Sequence, residues 1–166
     1  MDLDDIESDR AVLIGLRAAD ADDLAGLLEE TNLREWLRAR DVGELRERFA
    51  AWETRRSPRD DDELWLNWVI REREDGRALG WVQATVREGR ASVAYAVLPA
   101  ERGIGIASEA VRALVRWLHD RLGVTTVTAE IDDANSASVR VAVASGFERT
   151  IRRAGDEVVW EHRTTH

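Results

Sequence analysis

A segment that is apolar on both of its faces constrains the fold of this chain more than any other feature. In residues 91–98 both alternating sets of side chains are mostly apolar. A strand of this kind is covered on both sides and lies in the interior of a sheet. Pro99 ends the strand, and a turn with Gly103 and Gly105 opens a long amphipathic helix that Gly123 ends. The chain must therefore build layers on both faces of a sheet.

The remaining patterns predict one mixed α/β (α+β) domain over residues 1–166. Strands are predicted over residues 12–17, 64–71, 79–86, 91–98, 125–131, 147–152 and 158–162. Helices are predicted from Asp20, over 33–55 with a break near 41–43, from the glycine turn to Leu122, and from a cap at Asn135 to Gly146. The order is βααβββαβαββ, and the short hairpin turns make most of the central sheet antiparallel, with helices flanking it.

The helix after the glycine turn has a regular apolar stripe that should pack on the sheet. The stripe is predicted to comprise Ile104, Ala107, Val111, Leu114, Val115, Leu118 and Leu122.

Two missing residue types narrow the chemistry. The sequence contains no cysteine and no lysine, so all 24 basic residues are arginine. Without cysteine there are no disulfides, thiolate metal sites or cysteine nucleophiles. Without lysine there is no Walker-type phosphate loop and no Schiff base. No group of histidines and carboxylates has the spacing of metal ligands, so we expect no metal.

The charge and hydropathy indicate where the chain works. Its net charge is −9 at pH 7, which argues against nucleic acid as a partner. No apolar run approaches the roughly 18–20 residues of a membrane span. The acidic start of the chain is unlike a signal or transit peptide. We therefore expect a cytoplasmic protein without a membrane partner.

The glycine turn is the best candidate for a binding site. A helix N-terminus offers unpaired backbone N–H groups and the positive end of a dipole, and glycines let an anion approach closely. Gly103 and Gly105 supply the glycines, while Arg102 and Ser108 add a charge and a hydroxyl. A tight turn without a ligand would leave the same pattern.

A dinucleotide-binding enzyme is one alternative. Gly103-x-Gly105-x-x-Ser108 after a strand, with Glu130 downstream, partly fits that fingerprint. However, the third glycine of that fingerprint is missing. In addition, the dinucleotide-binding fold places the fingerprint after its first strand, whereas here several hairpin strands come before it.

Two motifs together resemble the GNAT (GCN5-related N-acetyltransferase) superfamily. Arg102-x-x-Gly105-x-Ala107 is similar to its acyl-CoA-binding pattern Gln/Arg-x-x-Gly-x-Gly/Ala. The block from Asn135 through Ser138 and Arg140 to Gly146-Phe147 resembles a hallmark of the RimJ/RimL branch. The order of elements matches that family along essentially the whole chain. The resemblance implies an N-acetyltransferase that moves the acetyl group of its co-substrate, acetyl-CoA, directly to a primary amine in a ternary complex.

The resemblance also implies roles for individual residues. The central strand would separate from its parallel neighbour, and the backbone of Val97 and Leu98 would bind the pantetheine amides. Asn135 would bind the pantetheine arm as well as cap its helix, and the Ser108 hydroxyl would help to bind the pyrophosphate. The turn backbone that would hold the pyrophosphate comprises Arg102, Gly103, Ile104, Gly105, Ile106 and Ala107.

The catalytic candidates depart from the usual pattern of the superfamily. Many members of the superfamily protonate the leaving thiolate with a tyrosine four residues before the Gly-Phe pair, but Ala142 stands there. In the RimJ/RimL branch the counterpart of Ser138 is proposed instead. Glu130 is the candidate base, and burial among its apolar neighbours would raise its pKa; a surface carboxylate is the competing interpretation. A non-catalytic acyl-CoA sensor is the alternative function.

The acceptor is not identified by the sequence. Trp36, Trp52, Trp65 and Trp68 flank the acidic run 60–63. Aromatic walls with carboxylates suit a cationic amine, such as a protein N-terminus, an antibiotic or a small metabolite. We expect two of these tryptophans to line a pocket, although tryptophans at such spacing also form cores. His119 is expected at the surface. Trp160 is expected either in the core or at an interface between two copies of the chain, so the sequence allows a homodimer as well as a monomer.

Overall fold

The computed structural model describes residues 3–54 and 63–163. Its strands are β1 (Ile6–Glu7), β2 (Ala11–Gly15), β3 (Glu63–Glu72), β4 (Ala78–Arg87), β5 (Arg90–Val97), β6 (Thr126–Ile131), β7 (Glu148–Ala154) and β8 (Glu157–Arg163). Its α-helices are α1 (Asp20–Asp23), α2 (Thr31–Leu37), α3 (Val42–Thr54), α4 (Ile106–Leu122) and α5 (Ser136–Ala144). Short 3₁₀ helices lie at Ala25–Glu29 and Pro99–Glu101.

The strands form one sheet in the order β1-β2-β3-β4-β5-β6-β8-β7. Every neighbouring pair is antiparallel except β5 and β6, which run parallel. The chain passes from β5 to β6 through α4, because parallel neighbours need a long crossover. The predicted mixed, mostly antiparallel sheet flanked by helices is therefore confirmed.

The first half of the chain is more broken than predicted. The helix begins at Asp20 as expected, but α1 has four residues before a 3₁₀ helix takes over. The predicted break in the next helical stretch is confirmed and lies slightly earlier, where Arg38 adopts a left-handed conformation with φ 53° and ends α2. The two-residue strand β1 was not predicted, because it is too short to show a period. The predicted loop at 57–62 lies outside the described residues.

Each face of the sheet buries its own core. On one face α4 covers alternate residues of β3, β4 and β5, among them Leu66, Trp68, Val82 and Val93, while α5 packs beside α4 and against β6. On the other face the segment from α1 to α3 covers the strand residues that point the opposite way, among them Val69, Trp81 and Ala96. The segment predicted to be apolar on both faces, now β5, divides its side chains between these cores, as a central strand should. Among the described residues no helix has the length and apolar character needed to cross a membrane.

The long helix starts later than its predicted stripe. Gly105 is the N-cap of α4 with a left-handed φ of 82°, so Ile104 precedes the helix and its side chain is 51% exposed. The buried stripe begins at Ile106 instead. Gly123 ends the helix with a left-handed φ of 66°, as predicted.

Gly80 lets β4 and β5 approach closely, and replacing it should destabilise the fold. A Cβ at Gly80 would lie 2.3 Å from the Ala96 carbonyl oxygen and 2.9 Å from the Val97 Cα. Because both atoms belong to the backbone of β5, neither can rotate away. We expect Gly80→Ala to cost about 1–3 kcal/mol of unfolding free energy, as overpacking usually does, and to lower the melting temperature by several degrees.

Gly15→Ala is the matched control on β2, because its Cβ would meet two side-chain carbons of Leu3 at 3.6 and 3.9 Å, which is ordinary van der Waals contact. Thermal unfolding followed by circular dichroism compares the two variants. Equal melting temperatures for Gly80→Ala and the wild type would contradict the packing described here.

Candidate active site

A cleft opens where β5 and β6 separate. The two strands pair only from Arg90–Thr126 to Ser92–Thr128. Beyond that point β5 continues to Val97 and β6 to Ile131, and no pairing joins these two described segments. The separation predicted from the family resemblance is therefore present, and it leaves backbone groups of β5 without a strand partner on that side.

The direction of those groups follows from the pairing of β5 with β4. In an antiparallel pair, residues alternate between those that bond to the partner strand and those that face away from it. Leu98 donates its N–H to the Leu79 carbonyl at 2.9 Å, and its own carbonyl accepts the Glu101 N–H at 2.9 Å. Val97 therefore turns its backbone groups towards the cleft. The expectation that the Leu98 backbone faces the cleft is wrong, since β4 and the following turn use it.

The glycine turn lies at the end of β5 and leads into α4. Gly103 and Gly105 have left-handed φ values of 87° and 82°, a conformation that residues with a Cβ rarely adopt. No side chain caps the N-terminus of α4, so the first N–H groups of the helix are free to bind an anion. The backbone geometry fits the predicted anion site.

The side chains around the turn divide between the surface and the core. Arg102 forms an ion pair with Glu30, and both residues are partly exposed. Ile106 and Ser108 are buried, while Ala107 packs against the core cluster. Ser108 thus contributes a buried hydroxyl in the first turn of the helix.

The start of α5 lies beside the separated part of β5. The Asn135 side chain caps this helix by accepting the Ser138 N–H at 3.1 Å, which confirms the predicted cap. The Tyr95 hydroxyl donates a hydrogen bond to the Ser138 carbonyl at 2.9 Å. Tyr95 lies on the separated part of β5, so this bond links the strand to α5.

Tyr95 lies at the site although the sequence assigned it no role there. Burial raises the pKa of its phenol above the usual range, so it stays protonated and donates. Its position two residues before Val97 puts both residues on the same side of β5. Ala142, which replaces the usual tyrosine, is buried in the core next to α4.

Glu130 faces the opposite side of the sheet from α5. Its neighbours Val127, Ala129 and Ile131 are buried, but Glu130 is exposed, since successive strand residues alternate between faces. Of the two interpretations of Glu130, the structure therefore agrees with the surface carboxylate and not with burial among the apolar neighbours. If the register of β5 and β6 were continued, Glu130 would stand opposite Ala94 across the cleft.

The tryptophans separate into different environments. Trp68 is fully buried in the core that faces α4. Trp36 and Trp52 pack on Trp81, with ring centroids 5.2 and 5.8 Å away, on the face that carries α1 to α3. Trp36 is 49% exposed. Trp65 donates its indole N–H to Glu63 at 2.7 Å. The carboxylates at 60–62 lie outside the described residues.

The remaining candidates are placed as follows. Trp160 is buried in the core. His119 is partly buried, with Nδ1 3.1 Å from the Val124 carbonyl oxygen, so its predicted surface position is only partly correct. No cluster of histidines and carboxylates that could hold a metal occurs within residues 3–54 and 63–163.

The sequence matches a known family over most of its length. Residues 10–148 match the acetyltransferase (GNAT) domain. No curated protein matches the chain in sequence.

Solved structures match the fold over nearly the whole chain. A candidate ribosomal-protein-serine acetyltransferase from Vibrio cholerae has a TM-score of 0.79 at 20% identity, covering 99% of this chain and 100% of that one. A GNAT-family acetyltransferase from Bacillus anthracis has a TM-score of 0.76 at 13% identity, covering 96% and 98%. The aminoglycoside acetyltransferase AAC(6')-Ib, solved with paromomycin and acetyl-CoA, has a TM-score of 0.73 at 19% identity, covering 93% and 94%.

Proposed function

This chain belongs to the GNAT acetyltransferase family, and from that premise we propose that it transfers the acetyl group of acetyl-CoA to a primary amine. The observation that carries the proposal is the cleft between β5 and β6, which ends at the left-handed glycine turn and the uncapped start of α4. A cleft with open strand backbone suits an amide-bearing arm. The adjoining turn suits a pyrophosphate.

The residues of the turn and the cleft would bind the donor. The backbone of 102–107 and the hydroxyl of Ser108 would hold the pyrophosphate. Val97 would bind the pantetheine amides, and Asn135 would lie beside the same arm. Acetyl-CoA supplies an activated thioester, and the chain itself needs no acyl-carrying nucleophile. This agrees with the absence of cysteine and lysine from the sequence.

Proton transfer completes the reaction. An amine attacks only when it is neutral, so its proton must leave as the new carbon–nitrogen bond forms. We assign that proton to Glu130, acting through water because its side chain is exposed. Ser138 gives a proton to the sulfur as the carbon–sulfur bond breaks, and regains one from solvent. Outward-facing N–H groups of β5 polarise the thioester carbonyl.

The acceptor is a primary amine on a protein N-terminus, an antibiotic or a small metabolite. Two features support a cationic acceptor approaching from the face of α1 to α3. Glu130 faces that side, and the half-exposed Trp36 stands over Trp81 there. The block from Asn135 to Phe147 favours the RimJ/RimL branch, and a ribosomal-protein-serine acetyltransferase candidate is among the similar structures.

Thiol release tests this function. Purified protein is given acetyl-CoA and a panel of amines comprising peptides with free N-termini, aminoglycosides and small polyamines, and free CoA thiol is followed colorimetrically. We expect release that depends on one class of amine. Binding of acetyl-CoA without release for any amine would instead favour the non-catalytic sensor.

Replacing Glu130 tests its assignment as the base. We expect Glu130→Gln to lower kcat about tenfold or more near neutral pH. General acid–base catalysis usually contributes roughly 100-fold or more, and a carboxylate that acts through water can contribute less. The loss should shrink above the pKa of the acceptor amine, because the amine is then already neutral. Glu148→Gln, an exposed carboxylate on the edge strand β7, is the control. A pH-independent loss would contradict the assignment.

A further inference from the structure

A hairpin from the start of the chain reaches the glycine turn through Arg10. The Arg10 Nε donates to Glu109 Oε1 at 2.8 Å, and its backbone N–H donates to Glu109 Oε2 at 2.8 Å. Arg10 Nη1 donates to the Ile104 carbonyl at 2.8 Å. Ser8 adds a hydroxyl bond to Glu109 Oε2 at 2.6 Å. One guanidinium thus joins the hairpin to residues on both sides of Gly105.

These bonds shape the turn for an anion. A carbonyl oxygen carries partial negative charge and would repel a phosphate. Arg10 reduces this repulsion because it donates a hydrogen bond to the carbonyl oxygen of Ile104. Glu109 is also a negative charge in the first helical turn. Burial would raise its pKa, but the hydrogen bonds from Ser8 and Arg10 outweigh burial and hold the pKa below its usual value. The carboxylate is therefore charged, and Arg10 offsets that charge.

The second terminal nitrogen of the Arg10 guanidinium, Nη2, also lies beside the turn. Arg10 Nη2 lies 3.4 Å from the position that a Cβ on Gly105 would take. The Arg10 side chain is 48% exposed, so a ligand can reach it. A positive group thus lies directly beside the uncapped N–H groups of α4.

We propose that Arg10 belongs to the donor site: it fixes the turn through Ile104 and Glu109 and contacts the pyrophosphate through Nη2. This inference rests on the proposed function, which places acetyl-CoA at the turn. It adds a charged phosphate contact from the β1–β2 hairpin, outside both sequence motifs. Guanidinium groups suit this task because their forked donors match phosphate oxygens.

A truncated donor separates the phosphate contact from other roles. Arg10→Ala is compared with the wild type on two donors. With acetyl-CoA, the Kd is measured by titration calorimetry and kcat/KM by thiol release. With S-acetylpantetheine, which lacks the pyrophosphate, kcat/KM is measured in the same way. We expect Arg10→Ala to weaken acetyl-CoA binding about tenfold, the lower end for a charged hydrogen bond, with kcat nearly unchanged. The penalty should disappear for S-acetylpantetheine. A similar penalty for both donors would overturn the proposal.

Two further variants sharpen the test. Arg73→Ala removes an arginine that also anchors this hairpin, through the Ser8 carbonyl and Glu7, and we expect it to leave acetyl-CoA affinity unchanged. The double variant Arg10→Ala/Glu109→Gln removes the carboxylate that Arg10 offsets, and we expect its affinity to stay low. Recovered affinity in the double variant would show that Arg10 only screens Glu109, which overturns the phosphate contact.

Wild-type binding separates this inference from the function on which it rests. If the wild type does not bind acetyl-CoA, the proposed function fails. If the wild type binds and Arg10→Ala binds equally well, only the role of Arg10 fails. Circular dichroism melting of each variant checks that the hairpin substitutions leave the fold intact.

Discussion

Gly105→Glu is expected to abolish the binding of acetyl-CoA. The substitution puts a carboxylate where the pyrophosphate is proposed to lie, so two anions would compete for the same N–H groups. It also forces a side chain into a left-handed φ of 82°, at a cost of about 1–2 kcal/mol. Titration calorimetry should show affinity reduced at least about a hundredfold.

Two controls separate charge from strain. Gly123→Glu makes the same change at the other end of α4, where the glycine is also left-handed with φ 66°. It should bear a similar strain and keep its affinity for acetyl-CoA. Gly105→Ala adds strain without charge and should lose only part of the affinity. Undiminished binding by Gly105→Glu would show that the turn is purely structural.

Ser138→Ala is expected to lower turnover far more than donor affinity. If the Ser138 hydroxyl protonates the leaving thiolate, its removal should reduce kcat about a hundredfold or more, as loss of a general acid usually does. The Kd for acetyl-CoA should change little. Ser136→Ala is the matched control, because Ser136 is an exposed serine in the first turn of the same helix. Equal losses in kcat and affinity would make Ser138 a binding residue.

Tyr95→Phe distinguishes the two hydroxyls near that position. Tyr95 donates to the Ser138 carbonyl, so its removal should loosen α5 and reduce kcat less than Ser138→Ala does. If Tyr95→Phe costs more than Ser138→Ala, the proton donor is the tyrosine.

Local patterns predicted the elements well, because most of them depend on neighbouring residues. The break between α2 and α3, the glycine ends of α4 and the Asn135 cap are all set within a few residues. The alternation of apolar residues along β6 was also enough to predict which face of the sheet Glu130 takes. Its odd-numbered neighbours are apolar, so the even-numbered carboxylate had to face the other way.

The contacts that complete the site were outside the reach of local patterns. Arg10 meets Glu109 across 99 positions of sequence, and Tyr95 meets Ser138 across 43. The direction of the Leu98 backbone depends on its register with β4, which no local pattern fixes. Shifting the register by one residue would have turned Leu98 towards the cleft.

Titration calorimetry of the wild-type protein with acetyl-CoA, and with NADH as the control, tests the central claim most directly. The proposed donor site predicts binding of acetyl-CoA with a Kd in the roughly micromolar range and no measurable binding of NADH. Binding of NADH alone would favour the dinucleotide interpretation of the glycine turn. Absence of acetyl-CoA binding would contradict the donor site, and the glycines would then serve only to turn the chain from β5 into α4.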